Sequence, residues 1–81
     1  MNSEEAIKIF EKVKSKYDVP SGAEMEFVEK RYIELPVDYT PESKIPLRDV
    51  LVWVCHYAFD ISFWELTLDM NGRIVRVEKS R

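Results

Sequence analysis

The fold of this chain is decided by the stretch Val50-Leu51-Val52-Trp53-Val54-Cys55-His56-Tyr57-Ala58-Phe59. It is almost wholly apolar and rich in the β-branched and aromatic residues that favour extended structure. Because side chains alternate between the two faces of a strand, one face would carry Val50, Val52, Val54, His56 and Ala58, and the other Leu51, Trp53, Cys55, Tyr57 and Phe59. A strand with one face in water alternates apolar and polar residues. This stretch therefore predicts a strand that is covered on both faces.

A β-hairpin is predicted after this strand and the turn Asp60-Ile61-Ser62. Residues 63–69 alternate between apolar and polar side chains, and Asn71-Gly72 is a strong hairpin signal because both residues tolerate positive φ. A turn at Asn71-Gly72 predicts four cross-strand pairs: Leu68 with Val75 and Leu66 with Val77 on one face, and Thr67 with Arg76 and Glu65 with Glu78 on the other. Residues 48–79 are therefore predicted to form a three-stranded meander.

The N-terminal segment predicts a helix over residues 3–17. Its apolar residues fall at spacings of three and four, so they form one stripe: Ala6, Ile7, Phe10, Val13 and Tyr17. Asn2 or Ser3 can cap this helix, and Glu5 stands three residues after Asn2, as in a capping box. The segment Asp18-Val19-Pro20-Ser21-Gly22 then ends the helix, because proline and glycine do not continue it without cost.

The segment from Ala23 to Leu35 has two interpretations. Ser21 with Glu24 could open a second short helix. Met25, Phe27, Ile33 and Leu35 instead share one strand parity, which favours a long and bulged strand. The charges in its middle are typical of an edge strand, where they discourage unwanted pairing.

Residues 36–46 are predicted to form a long loop, because three prolines interrupt this segment. Its apolar residues are Tyr39 and Ile45. Either they hold the loop against the domain, or the loop borders a binding surface, since long loops in small domains are often functional.

Together these elements predict one α+β domain over residues 1–81, with the order α-β-β-β-β. The natural architecture is an N-terminal helix packed on one face of a four-stranded antiparallel sheet. One helix covers one face only, so the second apolar face of the strand 50–59 requires another cover. The sequence leaves open which face packs on the helix.

Composition excludes several classes of function. The net charge of −3 comes from mixed signs, whereas nucleic-acid binding needs a clustered basic face. The single cysteine, Cys55, allows no intrachain disulfide and favours a reducing compartment. The acidic N-terminus lacks the pattern of a secretory signal, and no apolar run reaches the roughly 20 residues of a membrane helix. A cytoplasmic domain that contacts neither nucleic acid nor membrane is predicted.

No residue pattern predicts catalysis. Cys55 and His56 are adjacent but point to opposite faces of a strand, so they cannot form a nucleophile–base pair. A single histidine without a second cysteine makes a zinc site implausible. Gly22 and Gly72 are the only glycines, so there is no phosphate-binding glycine-rich loop. We therefore predict no enzymatic activity, no cofactor and no metal.

The hairpin Trp-Glu-Leu-Thr-Leu-Asp-Met-Asn-Gly-Arg-Ile-Val-Arg-Val, residues 64–77, resembles the last hairpin of PepSY domains. The segment Glu-Glu-Ala-Ile-Lys-Ile-Phe, residues 4–10, resembles the opening helix of that family. Small immunity-type proteins with a cystatin-like or nuclear-transport-factor-like fold end in a similar way. The turn here is one residue shorter than the family's Asp-x-x-Thr-Gly pattern. The resemblance implies a non-catalytic module that binds or restrains a partner, often a protease or another protein, and it transfers no catalytic residues.

Two functions remain open. The first is a protein-interaction module that binds a partner protein or itself, as a homodimer, through the uncovered apolar face of the sheet. Trp53 and Tyr57 are the predicted anchors, since these residue types are enriched at interface hot spots, and Tyr39 and Phe59 are further candidates. In the competing interpretation, Trp53 and Tyr57 belong to an ordinary core. The alternative function is a binder of small apolar molecules, with a pocket between helix and sheet lined by Phe10, Tyr17 and Trp64.

Overall fold

A helix and four antiparallel strands make up the computed structural model, which describes residues 1–36 and 47–80. The elements are α1 (Ser3–Val13), a single 3-10 turn (Lys14–Tyr17), β1 (Glu24–Pro36), β2 (Leu47–Phe59), β3 (Ser62–Asp69) and β4 (Ile74–Lys79). The strands form one sheet in the order β1-β2-β3-β4. The predicted α+β fold, with one helix and a four-stranded antiparallel sheet, is confirmed. The residues of the predicted long loop, from 37 to 46, lie outside the described residues, and so do Tyr39 and Ile45.

Helix α1 begins with the predicted capping box. Asn2 is the cap: its side-chain oxygen accepts a hydrogen bond from the Glu5 N–H at 2.9 Å, and its own N–H donates to Glu5 Oε1 at 3.3 Å. The two bonds satisfy backbone donors that a helix end leaves free. The α-helix ends at Val13, and the last predicted residues continue as the tighter 3-10 turn up to Tyr17. Asp18, with φ of 64°, then reverses the chain.

Segment 24–36 is a strand, so of its two interpretations the extended one is confirmed. Strand β1 lies at one edge of the sheet and carries a bulge between Met25 and Phe27, where Glu26 is the additional residue. The bulge changes which residues share a face. Met25 pairs with Tyr57, whereas Phe27 pairs with His56 and therefore points to the opposite side. The sequence pattern places Met25 and Phe27 on the same face, and the bulge puts them on opposite faces.

Strand β2 is an interior strand, and its odd-numbered residues face the helix. The buried core lies between this face and α1; its members are Ala6, Phe10, Val19, Trp53, Cys55, Tyr57, Trp64, Leu66 and Leu68. We call this side of the sheet the helix face and the opposite side the far face. Phe10 and Tyr57 are the largest side chains that are completely buried. Burial of a side chain of this size contributes about 1.5–3 kcal/mol.

The β3–β4 hairpin confirms three of the four predicted pairs: Leu66–Val77, Thr67–Arg76 and Glu65–Glu78. The fourth is wrong, because Leu68 pairs with Ile74 and not with Val75. The turn has three residues rather than two, since Asp69 N–H donates to the Arg73 carbonyl at 2.9 Å. The Asp69 carboxylate accepts bonds from the Asn71 and Arg73 N–H groups, both at 2.9 Å, and Gly72 adopts φ of 86°. A bulge at Val75 absorbs the additional residue.

Candidate interaction surface

No helix within residues 1–36 and 47–80 covers the far face of the sheet, and the residues of this face follow from the pairing of the strands. Directly paired residues of an antiparallel sheet share a face. The described members are Glu24, Phe27, Glu29, Arg31 and Ile33 of β1, Val50, Val52, Val54, His56 and Ala58 of β2, Phe63, Glu65, Thr67 and Asp69 of β3, and Arg76 and Glu78 of β4. Apolar residues lie along β2, and charged residues flank them on both neighbouring strands.

The middle of the far face is closed to solvent although no helix lies on it. Val52 is 0% exposed, Val54 1% and Thr67 3%. Arg31 on β1 reaches Glu65 on β3, with 3.8 Å between Nη1 and Oε1, and Arg31 also pairs with Glu29. Because β2 lies between β1 and β3, the Arg31–Glu65 ion pair crosses β2 above Val54. Long charged side chains thus cover the apolar strand here.

Three rings stack across the far face beside this ion pair. The His56 ring lies between Phe27, at a centroid distance of 5.2 Å and an angle of 13°, and Phe63, at 5.0 Å and 20°. The stack spans the three strands β1, β2 and β3. Phe27 is 39% exposed and Phe63 36%, so each outer ring keeps one side open. These two rings are the accessible apolar part of this surface.

Both nitrogens of His56 face carboxylates. Nε2 lies 3.2 Å from Glu26 Oε1, and Nδ1 lies 3.3 Å from Glu65 Oε2. A neutral imidazole carries one N–H, so only the protonated ring can donate to both carboxylates. Glu26 is the bulge residue of β1, and the bulge is what brings its side chain to His56. Glu65 also faces Glu78 on β4, where like charges oppose each other.

The far face carries an excess of negative charge. Among the residues whose side chains the structure describes, six carboxylates lie on it, those of Glu24, Glu26, Glu29, Glu65, Asp69 and Glu78, against the two guanidinium groups of Arg31 and Arg76. The lysines whose side chains are described lie elsewhere: Lys8, Lys12, Lys14 and Lys16 follow the helical segment, and Lys30 and Lys79 pair with helix-face residues. The excess of negative charge therefore lies on the far face, whereas the other side carries both signs, with Glu4, Glu5 and Glu11 beside the lysines of the helix.

The helix face contains three buried polar atoms that have no hydrogen-bond partner in the described structure: Trp53 Nε1, the Tyr57 hydroxyl and Trp64 Nε1. The Cys55 thiol is the neighbour of Tyr57 on the same face of β2, but the Tyr57 hydroxyl makes no hydrogen bond to it or to any other described group. A lysine ammonium lies over each of the three rings: Lys30 at 5.3 Å from Trp53, Lys14 at 5.6 Å from Tyr57 and Lys79 at 5.9 Å from Trp64. Each unpaired group thus belongs to a ring that also contacts a cation.

The buried Cys55 thiol and Tyr57 hydroxyl are uncharged at neutral pH. Removal from water raises the pKa of Cys55 from 9.0 to about 12, because burial disfavours the thiolate. Burial likewise raises the pKa of Tyr57 above its ordinary value, and the neighbouring Cys55 adds to the effect. Since nucleophilic cysteines react as thiolates, this thiol is poorly reactive. Cys55 and His56 lie on opposite faces, as the alternation of the strand predicts.

Trp53 and Tyr57, the predicted anchors, lie on the helix face, where they are 6% and 0% exposed. The helix therefore covers the face that carries them, and the open face is the one with Val52 and Val54. Phe59 is 46% exposed, at the end of β2, and its ring lies against Gly22, where an added Cβ would come within 3.2 Å of it. Tyr39 belongs to the segment outside the described residues.

Sequence reasoning grouped the β2 residues of the far face correctly but missed those that β1 and β3 contribute to the ring stack. Phe27 and Glu26 owe their positions to the bulge in β1, and no pattern in the sequence marks its location. The position of Phe63 could have been predicted from the sequence. In the β2–β3 hairpin Phe63 lies opposite Ala58, which is the next residue after His56 on the same face of β2.

Within residues 1–36 and 47–80, no group of three or more His, Cys, Asp or Glu side chains is arranged to hold a metal ion. No helix in the same ranges is long and apolar enough to cross a membrane. Comparison with protein-family models, curated proteins and solved structures gave no match. The resemblance to PepSY domains therefore stays a prediction.

Proposed function

We propose that this chain is a non-catalytic protein-interaction module that binds a partner protein through the far face. The observation that carries the proposal is the stack of Phe27, His56 and Phe63, whose outer rings are open and whose surroundings are acidic. The partner accordingly presents arginine or lysine side chains next to an apolar group.

The recognition chemistry follows from the residues of this surface. A guanidinium or ammonium group binds over an aromatic face, and it gains about 0.5–2 kcal/mol there. The carboxylate of Glu26, 53% exposed, lies against the central ring of the stack and can form a charge-assisted hydrogen bond with the same cation. Glu29, 49% exposed, is the next residue after Phe27 on the same face of β1 and adds to the negative charge there. Arginine fits best, since its planar group can stack on a ring and bind a carboxylate at the same time.

Charge also argues against a second copy as the occupant of the far face. In a two-fold dimer the same patch meets itself, so the six carboxylates of one copy would approach those of the other. Like charges brought together at an interface cost several kcal/mol. A basic partner removes that repulsion and gains attraction in its place.

The experiment that tests this function is selection of binding peptides from a random displayed library on the full chain. We expect the enriched peptides to be basic and to contain arginine, and their affinity to fall as the salt concentration rises. The variant Phe63→Ser removes one open ring and should weaken binding at least about tenfold. The matched control is Ile61→Ser, because Ile61 is 88% exposed but lies in the β2–β3 turn, off the far face.

Two results would contradict this function. One is the enrichment of acidic or neutral peptides that bind without salt dependence. The other is equal binding to the wild type and to Phe63→Ser, which would place the binding surface elsewhere. Unfolding by urea, compared for both variants and the wild type, controls for loss of structure.

The second candidate function is the binding of a small molecule between helix and sheet, which the three unpaired groups Trp53 Nε1, Tyr57 hydroxyl and Trp64 Nε1 favour. Buried donors usually have partners, and a ligand with acceptor oxygens would supply them. The probe is 1-anilinonaphthalene-8-sulfonate, which combines rings with an anionic acceptor. If the function holds, Tyr57→Phe weakens binding of this dye to the folded chain, whereas Phe63→Ser leaves it unchanged. Absence of saturable binding to the wild type would contradict it.

A further inference from the structure

The free edge of β1 is an unusually long open edge for so small a sheet. Strand β1 has 13 residues and, within the part of the chain that the structure describes, pairs with β2 alone, while the other edge strand, β4, has six. An open edge presents unpaired N–H and C=O groups that another strand can bind. Two large side chains of β1 are also exposed, Tyr32 at 69% and Phe27 at 39%. The bulge between Met25 and Phe27 and the proline at position 36 lie near the two ends of β1, so residues 27–33 between them form a regular stretch of strand.

The sequence of β1 is self-complementary about its central residue, Lys30. Residues 27–33 read Phe-Val-Glu-Lys-Arg-Tyr-Ile: two apolar residues, an acid, Lys30, a base and two apolar residues. In an antiparallel pair of two copies centred on Lys30, residues equally distant from it face each other. Phe27 of one copy then faces Ile33 of the other, Val28 faces Tyr32, and Glu29 faces Arg31.

The geometry points to a homodimer in which the β1 strands of two copies pair through their free edges, with the two-fold axis at Lys30. This inference is independent of the far-face function, because it uses the edge of the sheet and requires no other partner. It joins the two four-stranded sheets into one sheet of eight. Residues that face each other across this new pair point to the same side of the sheet. The two helix faces therefore lie on one side and the two far faces on the other.

The charges in the middle of β1 do more than keep other strands away from this edge. Charges protect an edge by opposing whatever strand approaches. In the Lys30-centred register the charges attract a second copy instead, because Glu29 of each copy faces Arg31 of the other. Aromatic residues facing β-branched ones, as in Val28–Tyr32 and Phe27–Ile33, are also favourable cross-strand pairs.

Within residues 27–33, the one unfavourable pair is Lys30 with its own copy at the two-fold axis. One position beyond, Glu26 of the bulge would face Glu34, so the favourable seam is confined to residues 27–33. The Lys30 ammonium group, however, lies 5.3 Å from the centre of the Trp53 ring, over the helix face of its own sheet. The charge is thus drawn toward β2, which is Lys30's paired strand, and away from the new seam. The cation–π contact therefore lowers the repulsion that the two lysines would otherwise exert.

Sedimentation equilibrium of the full chain at low salt tests the pairing. We expect a reversible dimer whose fraction rises with concentration and falls with salt. Glu29→Arg alone, or Arg31→Glu alone, places like charges opposite each other twice and should weaken the dimer at least about tenfold. The double variant Glu29→Arg/Arg31→Glu restores opposite charges and should restore the dimer.

Mixing the two single variants gives the sharpest result. Neither single variant should dimerise with itself, but an equimolar mixture should form a heterodimer, because one chain then carries two basic residues at positions 29 and 31 and the other two acidic ones. No surface away from β1 would show this pattern. The control variant is Ile61→Ser, which changes an exposed apolar residue outside β1 and should leave the dimer intact.

Three results would overturn the inference. The first is a wild-type chain that stays monomeric up to about 1 mM, a concentration at which even weak association is visible. The second is a dimer that the single charge reversals leave unchanged. The third is a mixture of the single variants that remains monomeric while both are shown to be folded by circular dichroism.

Discussion

The two faces of the sheet bury their residues by different means. On the helix face, Phe10 packs against aromatic and aliphatic side chains, and three polar atoms are left without partners. On the far face, Val54 is equally buried, but an ion pair between Arg31 and Glu65 passes above it. A polar cover of this kind remains hydrated and can be exchanged for a partner, whereas a packed helix cannot be displaced without unfolding. The helix face therefore provides most of the packed core, and the far face is the one to which the proposed function assigns binding.

The largest expected effect comes from removing the helix-face core. Phe10→Ala deletes a completely buried ring and should reduce the free energy of unfolding by about 3–5 kcal/mol, through lost burial and the cavity left behind. Arg31→Ala, which removes the cover of the far face, should cost less than about 1 kcal/mol because the ion pair is partly exposed. Urea unfolding of both variants measures the contrast. Equal losses would show that the far face is as important for stability as the core.

Alkaline pH should weaken the helix face through Cys55. The pKa of this thiol is 9.0 in the unfolded chain and about 12 in the folded one, so above pH 9 the unfolded state releases a proton that the folded state keeps. Stability therefore falls as pH rises from 9 to 12, by about 1.4 kcal/mol for each pH unit. In Cys55→Ala the slope of stability against pH should be smaller, with the remainder due to Tyr57. An unchanged slope would contradict burial of the thiol.

Tyr57→Phe tests whether the unpaired hydroxyl on the helix face is costly. This variant removes a buried polar group that has no partner and keeps the ring, so we expect the free energy of unfolding to rise by about 1 kcal/mol. Thermal unfolding, with the midpoint compared at equal protein concentration, is the measurement. A loss of stability would indicate that the hydroxyl makes a hydrogen bond through water, and it would remove the basis of the small-molecule candidate.

The smallest expected effect concerns like charges on the far face. Glu65 and Glu78 are directly opposite each other on β3 and β4. Glu78→Lys converts a repulsive cross-strand pair into an attractive one and should stabilise the fold by about 0.2–1 kcal/mol. Because this pair is near the surface, the gain should shrink at high salt. A gain that persists in high salt would have to come from packing and not from charge.

Most of the fold was predictable because local signals agreed with it. Asn2 and Glu5 define the helix start, and the alternation of residues 63–69 around Asn71-Gly72 sets the hairpin. The error at Leu68 has a local cause, since the Asp69 carboxylate binds two N–H groups of the turn and favours three residues over two. A side chain that can bond to nearby backbone competes with the shortest turn, and alternation alone does not reveal it.

The sequence by itself determined the elements of this protein, their order, and the presence of a β2 strand that is apolar on both faces. Those features depend on residues near one another in the chain, so their pattern is visible in one dimension. Only the tertiary structure decided which face of β2 meets the helix and where Glu26 and Phe27 point. Both depend on contacts between distant segments and on a one-residue bulge, which reverses the face of every side chain on one side of it. The candidate surface exists because of that reversal.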